Sequence, residues 1–204
     1  MTNRQTQVEA IRPMMSLVAS FFEKAPEFCG PIYNERSLQL ELACLLRAHG
    51  AQVEFERPFV IVPLEGSTCP VKSNLDLLVR DNGHTTAIEL KVPLNGRHPE
   101  TFYDFCNDIA FVEGILRAGH ADTGVCLMLT NDRAYWLDSS RGSPIHNLFR
   151  RTGSLLNGAI QKPTGTAKTT IVVSGKYYPA DLWAAVRDTR LMDAAQYLAV
   201  EIKP

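Results

Sequence analysis

The stretch NLDLLVRDNGHTTAIELK, residues 74–91, carries the strongest structural signal in the chain. Two runs of apolar and β-branched residues flank Asn82-Gly83, a dipeptide typical of a two-residue β-hairpin turn. The pattern therefore predicts two antiparallel strands, at Leu75–Val79 and Thr85–Val92. With a turn of this length the pairing register of the hairpin is fixed as well.

The predicted register brings charged side chains together on one face of the hairpin. It places Asp76 directly opposite Glu89, where paired Cβ atoms are about 4.5–5.5 Å apart. Because side chains alternate between the two faces of a strand, Lys91 shares the face of Glu89. The opposite face is expected to be apolar and to pack in the core, and it contains Leu75, Leu77, Val79, Ile88, Leu90 and Val92.

Two facing carboxylates repel each other and need a compensating charge. Lys91 supplies part of it, and Mg²⁺ would compensate better, since this ion is usually held by one or two carboxylates together with water and substrate phosphate. Asp76 and Glu89 are therefore candidate metal ligands for phosphodiester hydrolysis. Lys91 would orient the attacking water or stabilise the transition state. The alternative interpretation is an exposed hairpin face with a cross-strand salt bridge, which stabilises a fold little.

The remaining pattern predicts an α/β fold without strict alternation of strands and helices. The elements expected before the hairpin are helices at Gln5–Lys24 and about Asn34–His49 and a strand at Val53–Val62. Those expected after it are helices at Pro99–Ala118 and near Ala180–Asp188 and strands at Gly124–Leu129, Ala134–Trp136, Thr170–Val173 and Tyr197–Ile202. This order predicts a three-layer α/β/α sandwich with a central mixed sheet.

The motif and its context resemble the PD-(D/E)xK superfamily of restriction-endonuclease-like nucleases. The similarity lies in Asn74-Leu75-Asp76, followed after twelve residues by Glu89-Leu90-Lys91, and in the order helix, strand, hairpin, helix, strand. It covers about residues 34–130. Leu75 stands where the proline that gives the superfamily its name would be.

The resemblance implies a restriction-endonuclease-like core at about residues 34–130 of one domain that spans residues 1–204. A helix at residues 5–24 would precede this core, and an α/β extension at about residues 140–204 would follow it.

The resemblance also implies a role for each motif residue. In such nucleases the Asp and the Glu bind Mg²⁺ and the Lys is catalytic, which assigns these roles to Asp76, Glu89 and Lys91. A Glu from the first core helix often completes the site. Glu35 lies in line with the apolar stripe of that helix and Glu41 on its flank, and both are candidates.

Several of the candidate residues also have an ordinary structural interpretation. Glu35 also suits a helix-dipole position in the first turn, and Glu41 suits a solvated side chain. Asp108, which flanks the apolar stripe of the next helix, could approach the same site, but it is interpreted as a surface carboxylate. Lys72 is one of several ordinary surface cations that could touch a nucleic-acid backbone.

Composition excludes some functions. The 204 residues carry a net charge of −1, which gives no general attraction to nucleic acid or acidic membranes. Met1–Ala10 lacks the layout of a signal peptide, and no apolar run is long enough to span a bilayer. The five cysteines include no close pair of the kind that a zinc ribbon or redox motif requires. Their odd number, together with the missing export signal, favours a reducing cytoplasm.

These observations support three hypotheses. The first is a Mg²⁺-dependent nuclease that acts on DNA. The second is a non-catalytic domain of the same fold that serves as a binding or scaffold module in a DNA defence or repair complex. The third is a small-molecule-binding α/β domain in which Asp76, Glu89 and Lys91 form a polar pocket. The oligomeric state is left open, a homodimer included.

Overall fold

The structure is a computed structural model that describes residues 14–70, 72–93, 96–138, 143–165 and 169–204. The helices are α1 (Met14–Glu23), α2 (Glu35–Ala48), α3 (His98–Arg117) and α4 (Pro144–Arg150). The strands are β1 (Gln52–Pro58), β2 (Asn74–Asp81), β3 (His84–Lys91), β4 (Thr123–Thr130), β5 (Leu156–Gln161), β6 (Thr170–Tyr177), β7 (Trp183–Ala185) and β8 (Gln196–Ile202).

Six strands form one mixed sheet in the order β1-β2-β3-β4-β8-β7, and β5 and β6 form a separate two-stranded sheet. Neighbours in the large sheet are antiparallel except β3 and β4, which are parallel because α3 connects them. The predicted order helix, strand, hairpin, helix, strand is present as α2, β1, β2–β3, α3 and β4. The predicted α/β class with a mixed sheet is confirmed.

Helices cover both faces of the large sheet. On one face α1 and α2 pack against the sheet through residues such as Phe22 and Leu42. On the other face α3 and α4 pack through residues such as Phe102 and Phe149, together with the β5–β6 sheet. Because both faces are closed by apolar clusters, any charged side chain within the sheet is short of water and needs polar partners.

The β2–β3 hairpin has the predicted register. Asp81 pairs with His84, and the ladder continues to Leu77 and Ile88. The backbone of Asn82-Gly83 has φ values of 48° and 80°, as a type I′ turn requires. The sequence signal of the turn therefore fixed which residues of β2 and β3 face each other.

Helix α2 begins where its capping residues predict. Asn34 Oδ1 accepts a hydrogen bond from Ser37 N at 3.0 Å, and Ser37 Oγ accepts one from Asn34 N at 3.0 Å. This reciprocal cap satisfies two backbone donors that a helix start leaves free. It places Glu35 in the first turn and Gln39 one turn later on the same side of the helix.

Several predicted boundaries are wrong in the second half of the chain. Ala134–Trp136 was expected to form a strand, but Arg133–Tyr135 form a 3₁₀ turn that Asp132 caps by accepting a hydrogen bond from Ala134 N at 2.9 Å. Ala180–Asp188 was expected to be helical, but its middle forms β7, which pairs with the open edge of β8. A short apolar run does not distinguish a strand from a helix, and tertiary pairing decided here.

Two further predictions differ at their ends. The strand expected at Val53–Val62 stops at Pro58, the proline that the sequence shows inside it. The helix expected at Gln5–Lys24 is observed from Met14, and residues 5–13 lie outside the described residues. Among the described helices, none is both long and apolar enough to cross a membrane.

The β5–β6 sheet is attached to α3 through a buried carboxylate. Glu113 of α3 accepts hydrogen bonds from Ser174 N at 2.8 Å, Gly175 N at 2.6 Å and Tyr177 Oη at 2.9 Å. Hydrogen bonds to an ionised acceptor are stronger than neutral ones. The C-terminal part of the chain therefore holds α3 in place on the sheet.

Candidate active site

Strand β2 leaves its regular ladder at Asp76. The pairing of β2 with β3 begins at Leu77, and the pairing of β2 with β1 lacks one residue pair, Asp76 with Glu56. Side chains form the hydrogen bonds there instead: Leu90 N donates to Asp76 Oδ2 at 2.7 Å, and Gln39 Nε2 donates to the Asp76 carbonyl oxygen at 2.9 Å. The Asp76 carboxylate is therefore held by the backbone of β3, and the Asp76 carbonyl oxygen by a side chain of α2.

The residue opposite the break is strained. Glu56 has a φ of 47°, a left-handed conformation that costs a non-glycine residue of order 1–3 kcal/mol. Gln39 Nε2, which binds the Asp76 carbonyl, also lies 3.1 Å from Glu56 Oε1. One glutamine of α2 therefore connects both strands at the point where they separate.

The break also explains why one predicted core residue lies on the other face. Strict alternation places Leu75 with Leu77, but Leu75 packs with Leu78 and Ala87 against α3. Leu77 stays in the cluster below α1 and α2. Alternation holds only along a regularly paired strand, and pairing of β2 with β3 is absent before Leu77.

Three carboxylates are buried beside the break. Asp76, Glu89 and Asp108 are 6%, 1% and 3% exposed. Burial raises the pKa of Glu89 well above its ordinary value, and the negative charges of Asp108 and Asp76 raise it further. Burial is also the main cause of the raised pKa of Asp76, and the charge of Lys72 opposes it. Binding of a proton or a cation is therefore expected to stabilise this cluster of carboxylates.

Two lysines enter this cluster from different elements. Lys72, just before β2, forms ion pairs with Glu89 Oε2 and with Asp108 Oδ1, the latter at 3.4 Å. Lys91, the last residue of β3, lies 3.3 Å from Asp108 Oδ2 and 3.6 Å from Glu35 Oε2. Burial alone would lower the pKa of both lysines, but the carboxylates, Asp108 foremost, outweigh it and raise the pKa of each.

The positive charge does not balance the negative charge. In the part of the chain that the structure describes, the ion pairs of the cluster set the carboxylates of Glu35, Glu89 and Asp108 against two lysine ammonium groups, and Asp76 adds a fourth carboxylate. Within the part of the chain that the structure describes, Glu89 Oε1 is buried and accepts no hydrogen bond. A buried carboxylate oxygen without a partner is costly, and protonation or cation binding removes that cost.

The site opens into a cleft between α2 and the start of β2. The cleft has a volume of about 480 Å³, and it is lined by Glu35, Arg36, Gln39, Glu56, Lys72, Ser73, Asn74 and Asp76. A more apolar cavity of about 210 Å³ lies at the other end of the hairpin beside His84 and Thr123, and its lining contains none of the clustered charges. The buried charged cluster therefore lies apart from this apolar cavity.

The structure brings together most of the predicted site residues. Asp76, Glu89, Lys91 and Glu35 are in one cluster. Burial raises the pKa of Glu35, which the charge of Lys91 opposes. Glu41 lies elsewhere: a Cβ added at Gly30 would be 3.3 Å from Glu41 Oε1.

The surroundings of Glu41 differ in kind from those of the cluster. Burial raises the pKa of Cys29 to about 12, and the charge of Glu41 contributes. Glu41 therefore faces the segment between α1 and α2.

Sequence reasoning missed two members of the cluster. Asp108 was interpreted as a surface carboxylate, and this is wrong, because it is buried between both lysines. Its spacing was the signal: it follows Phe105 by three residues and precedes Val112 by four, which places it on the packed side of α3. Lys72 precedes the strand in an irregular segment, where no periodicity predicts the direction of a side chain.

Among the described residues, no group of three or more His, Cys, Asp or Glu side chains has an arrangement that could hold a metal ion. Comparisons of the chain with protein-family models, curated proteins and solved structures found no match. The similarity to PD-(D/E)xK nucleases therefore depends on the motif and the order of elements, and function has to be inferred from the site.

The raised pKa of Glu89 predicts that the metal-free protein loses stability as the pH rises. The stabilisation is fully present below the unfolded-state pKa, ordinarily 4.5, and is lost as the pH passes through the higher folded-state pKa. Urea unfolding in EDTA between about pH 4 and pH 8 should therefore show a falling free energy of unfolding.

Glu89→Gln removes the titrating group and should reduce the slope of that fall. The exposed Glu65→Gln is the matched control and should keep the wild-type slope. Equal slopes in wild type and Glu89→Gln would mean that folding leaves the pKa of Glu89 unchanged, which contradicts the prediction.

Proposed function

We propose that this protein is a Mg²⁺-dependent nuclease that hydrolyses DNA phosphodiester bonds, with Asp76, Glu89 and Lys91 as its active-site residues. The observation that carries the proposal is the burial of two interacting carboxylates, Asp76 and Glu89, at the break in β2, with Lys91 close by and a cleft open to solvent. The order α2, β1, β2–β3, α3, β4 supports a restriction-endonuclease-like core.

Two features of the site support Mg²⁺ as the cofactor. The donor set consists of carboxylate oxygens, the ligand type that Mg²⁺ prefers, and two carboxylates with water suffice for this ion. Glu89 Oε1, buried without a hydrogen-bond partner in the described residues, is an acceptor that a cation would satisfy. When bound, Mg²⁺ would lower the pKa of a coordinated water and offset charge on the phosphate.

The protein's own groups would set the geometry. Asp76 and Glu89 would hold the ion, and the hydrogen bonds from Leu90 N and Gln39 fix Asp76 before any ligand arrives. Such preorganisation avoids reorganisation during the reaction. Lys91, kept protonated by Asp108 and Glu35, would orient the attacking water or stabilise charge that develops on the phosphate.

DNA is the proposed substrate because the cleft combines the acidic cluster with groups that contact phosphates. Arg36 and Lys72 offer charged donors, and Ser73 and Asn74 offer neutral ones. The net charge of −1 provides no general attraction. Binding of DNA is therefore expected to depend on the divalent cation as well as on these local donors.

The second candidate is a non-catalytic binding or scaffold module. The observation that favours it is the ion pair between Lys72 and Glu89, which compensates one of the two proposed metal ligands without a metal. For the compartment, we also propose the cytoplasm, because all five cysteines are free thiols.

Metal binding and cleavage should separate in two variants. Mg²⁺ should raise the Tm of wild type and of Lys91→Ala by mass action, but not that of Asp76→Asn. Cleavage of plasmid, linear and single-stranded DNA should be lost in Asp76→Asn. It should fall by about 10²–10³-fold in Lys91→Ala, the range for removing one transition-state donor.

Lys203→Ala is the control for loss of a lysine, since its side chain is 68% exposed at the other end of the sheet, and it should cleave like wild type. Full activity of carefully purified Lys91→Ala would contradict the mechanism. An inactive wild type that still binds Mg²⁺ would favour the scaffold module.

Two glutamates of α2 provide a matched pair. Glu35→Gln should lower cleavage, because the Glu35 carboxylate faces Lys91 inside the cluster. Glu41→Gln should leave cleavage unchanged, because Glu41 lies beside Gly30. The measurement is kcat and KM of both variants on one DNA substrate.

The free energy of unfolding in EDTA tests the roles of Glu35 and Glu41 independently of cleavage. Glu35→Gln removes a negative charge from a cluster with excess negative charge, so the metal-free protein should be as stable as wild type or slightly more so. Equal cleavage by wild type and Glu35→Gln would exclude α2 glutamates from catalysis.

A further inference from the structure

We propose that Lys72 is an exchangeable counter-ion of the site, an inference that rests on the proposed function. Without metal, its ammonium group forms ion pairs with both Glu89 and Asp108. When a divalent cation takes Glu89, the ammonium is displaced into the cleft and binds a phosphate of the DNA backbone.

The first argument is competition for one carboxylate. Lys72 binds Glu89 Oε2, and Glu89 is one of the two proposed metal ligands. A divalent cation at Glu89 would be repelled by an ammonium group held at the same carboxylate, with an energy that rises as the distance falls. The buried site cannot keep both cations at Glu89, so binding of one favours release of the other.

The second argument is the freedom of Lys72 to leave. Its side chain is 25% exposed, whereas the carboxylates of Glu89 and Asp108 to which it reaches are 1% and 5% exposed. Lys72 also lies outside the strands, before β2 begins at Asn74. It can move without breaking a ladder, whereas Lys91 is part of β3.

The third argument concerns the surroundings into which the displaced Lys72 ammonium group would move. Lys72 lines the cleft together with Arg36, Ser73 and Asn74. These neighbours are hydrogen-bond donors, and a positive charge among them favours a phosphate oxygen. The same side chain therefore reaches the acidic cluster on one side and the entrance of the site on the other.

The exchange predicts opposite effects of one substitution on two ligands. Lys72→Gln removes the internal competitor, so affinity for Mg²⁺ alone should rise by at least about tenfold. The same variant loses a phosphate contact, so DNA affinity at saturating Ca²⁺, used in place of Mg²⁺, should fall, and the slope of log K against log salt should drop by about 1.

Calorimetric titration with Mg²⁺ in the absence of DNA gives the first affinity, and fluorescence anisotropy with a labelled duplex and a labelled single strand gives the second. Lys72→Arg keeps the charge and should restore both values toward wild type. Lys91→Gln is the matched comparison. In the described part of the chain, Lys91 forms an ion pair with Asp108 but none with Glu89, so the gain in Mg²⁺ affinity of this variant should be smaller. Should Lys72→Gln fold poorly, Lys72→Met keeps the apolar stem.

The outcomes separate the exchange from the nuclease reaction. Unchanged or weaker Mg²⁺ binding in Lys72→Gln, with wild-type cleavage of DNA intact, overturns the exchange alone. Tighter Mg²⁺ binding with weaker DNA binding supports the exchange even where wild type cleaves nothing. Absence of Mg²⁺ binding in every variant overturns the metal site and the exchange together.

Discussion

Burying Asp76 and Glu89 next to each other is the constraint that explains the surrounding structure. Two carboxylates removed from water repel each other and lose hydration, a cost of several kcal/mol per ion unless partners compensate it. The partners of the two carboxylates come from separate segments: Leu90 N of β3 donates to Asp76 Oδ2, and Lys72 of the segment before β2 forms an ion pair with Glu89 Oε2. Without a ligand to bind, two apolar residues would fill the same space at no electrostatic cost.

The fold meets this constraint at a point where the backbone pairing of β2 is incomplete. Strand β2 lies between β1 and β3, second from the edge of the sheet, and Asp76 is outside the ladder with either neighbour. Side chains replace the missing ladder bonds, and Glu56 takes a left-handed backbone conformation opposite the gap. Strain and buried charge meet at one point, which is typical of functional sites rather than of structural ones.

The sequence predicted the parts of the fold and site that follow from local rules. The Asn82-Gly83 turn determined the hairpin register, and the Asn34 cap determined where α2 begins. The hairpin register was enough to place Asp76 opposite Glu89, whereas the choice between Glu35 and Glu41 stayed open until the structure. The resemblance of the motif to a nuclease superfamily added roles for them, and those roles stay predictions.

The parts that were missed depend on contacts between distant segments. Leu75 changes face because the strand is interrupted, and alternation assumes that it is not. The spacing of Asp108 in α3 indicates the packed side of the helix, but its two lysine partners come from segments distant in sequence. Lys72 lies in an irregular segment whose direction only the folded structure defines. The helix expected near Ala180 became a strand because β8 offered an open edge.

Anomalous diffraction from crystals soaked in Mn²⁺ tests most directly whether the two buried carboxylates form a metal site. The structure predicts a peak within about 2.5 Å of carboxylate oxygens of both Asp76 and Glu89, with the Lys72 ammonium moved away from Glu89. An absent peak at saturating Mn²⁺, with Lys72 still bonded to Glu89, would contradict it.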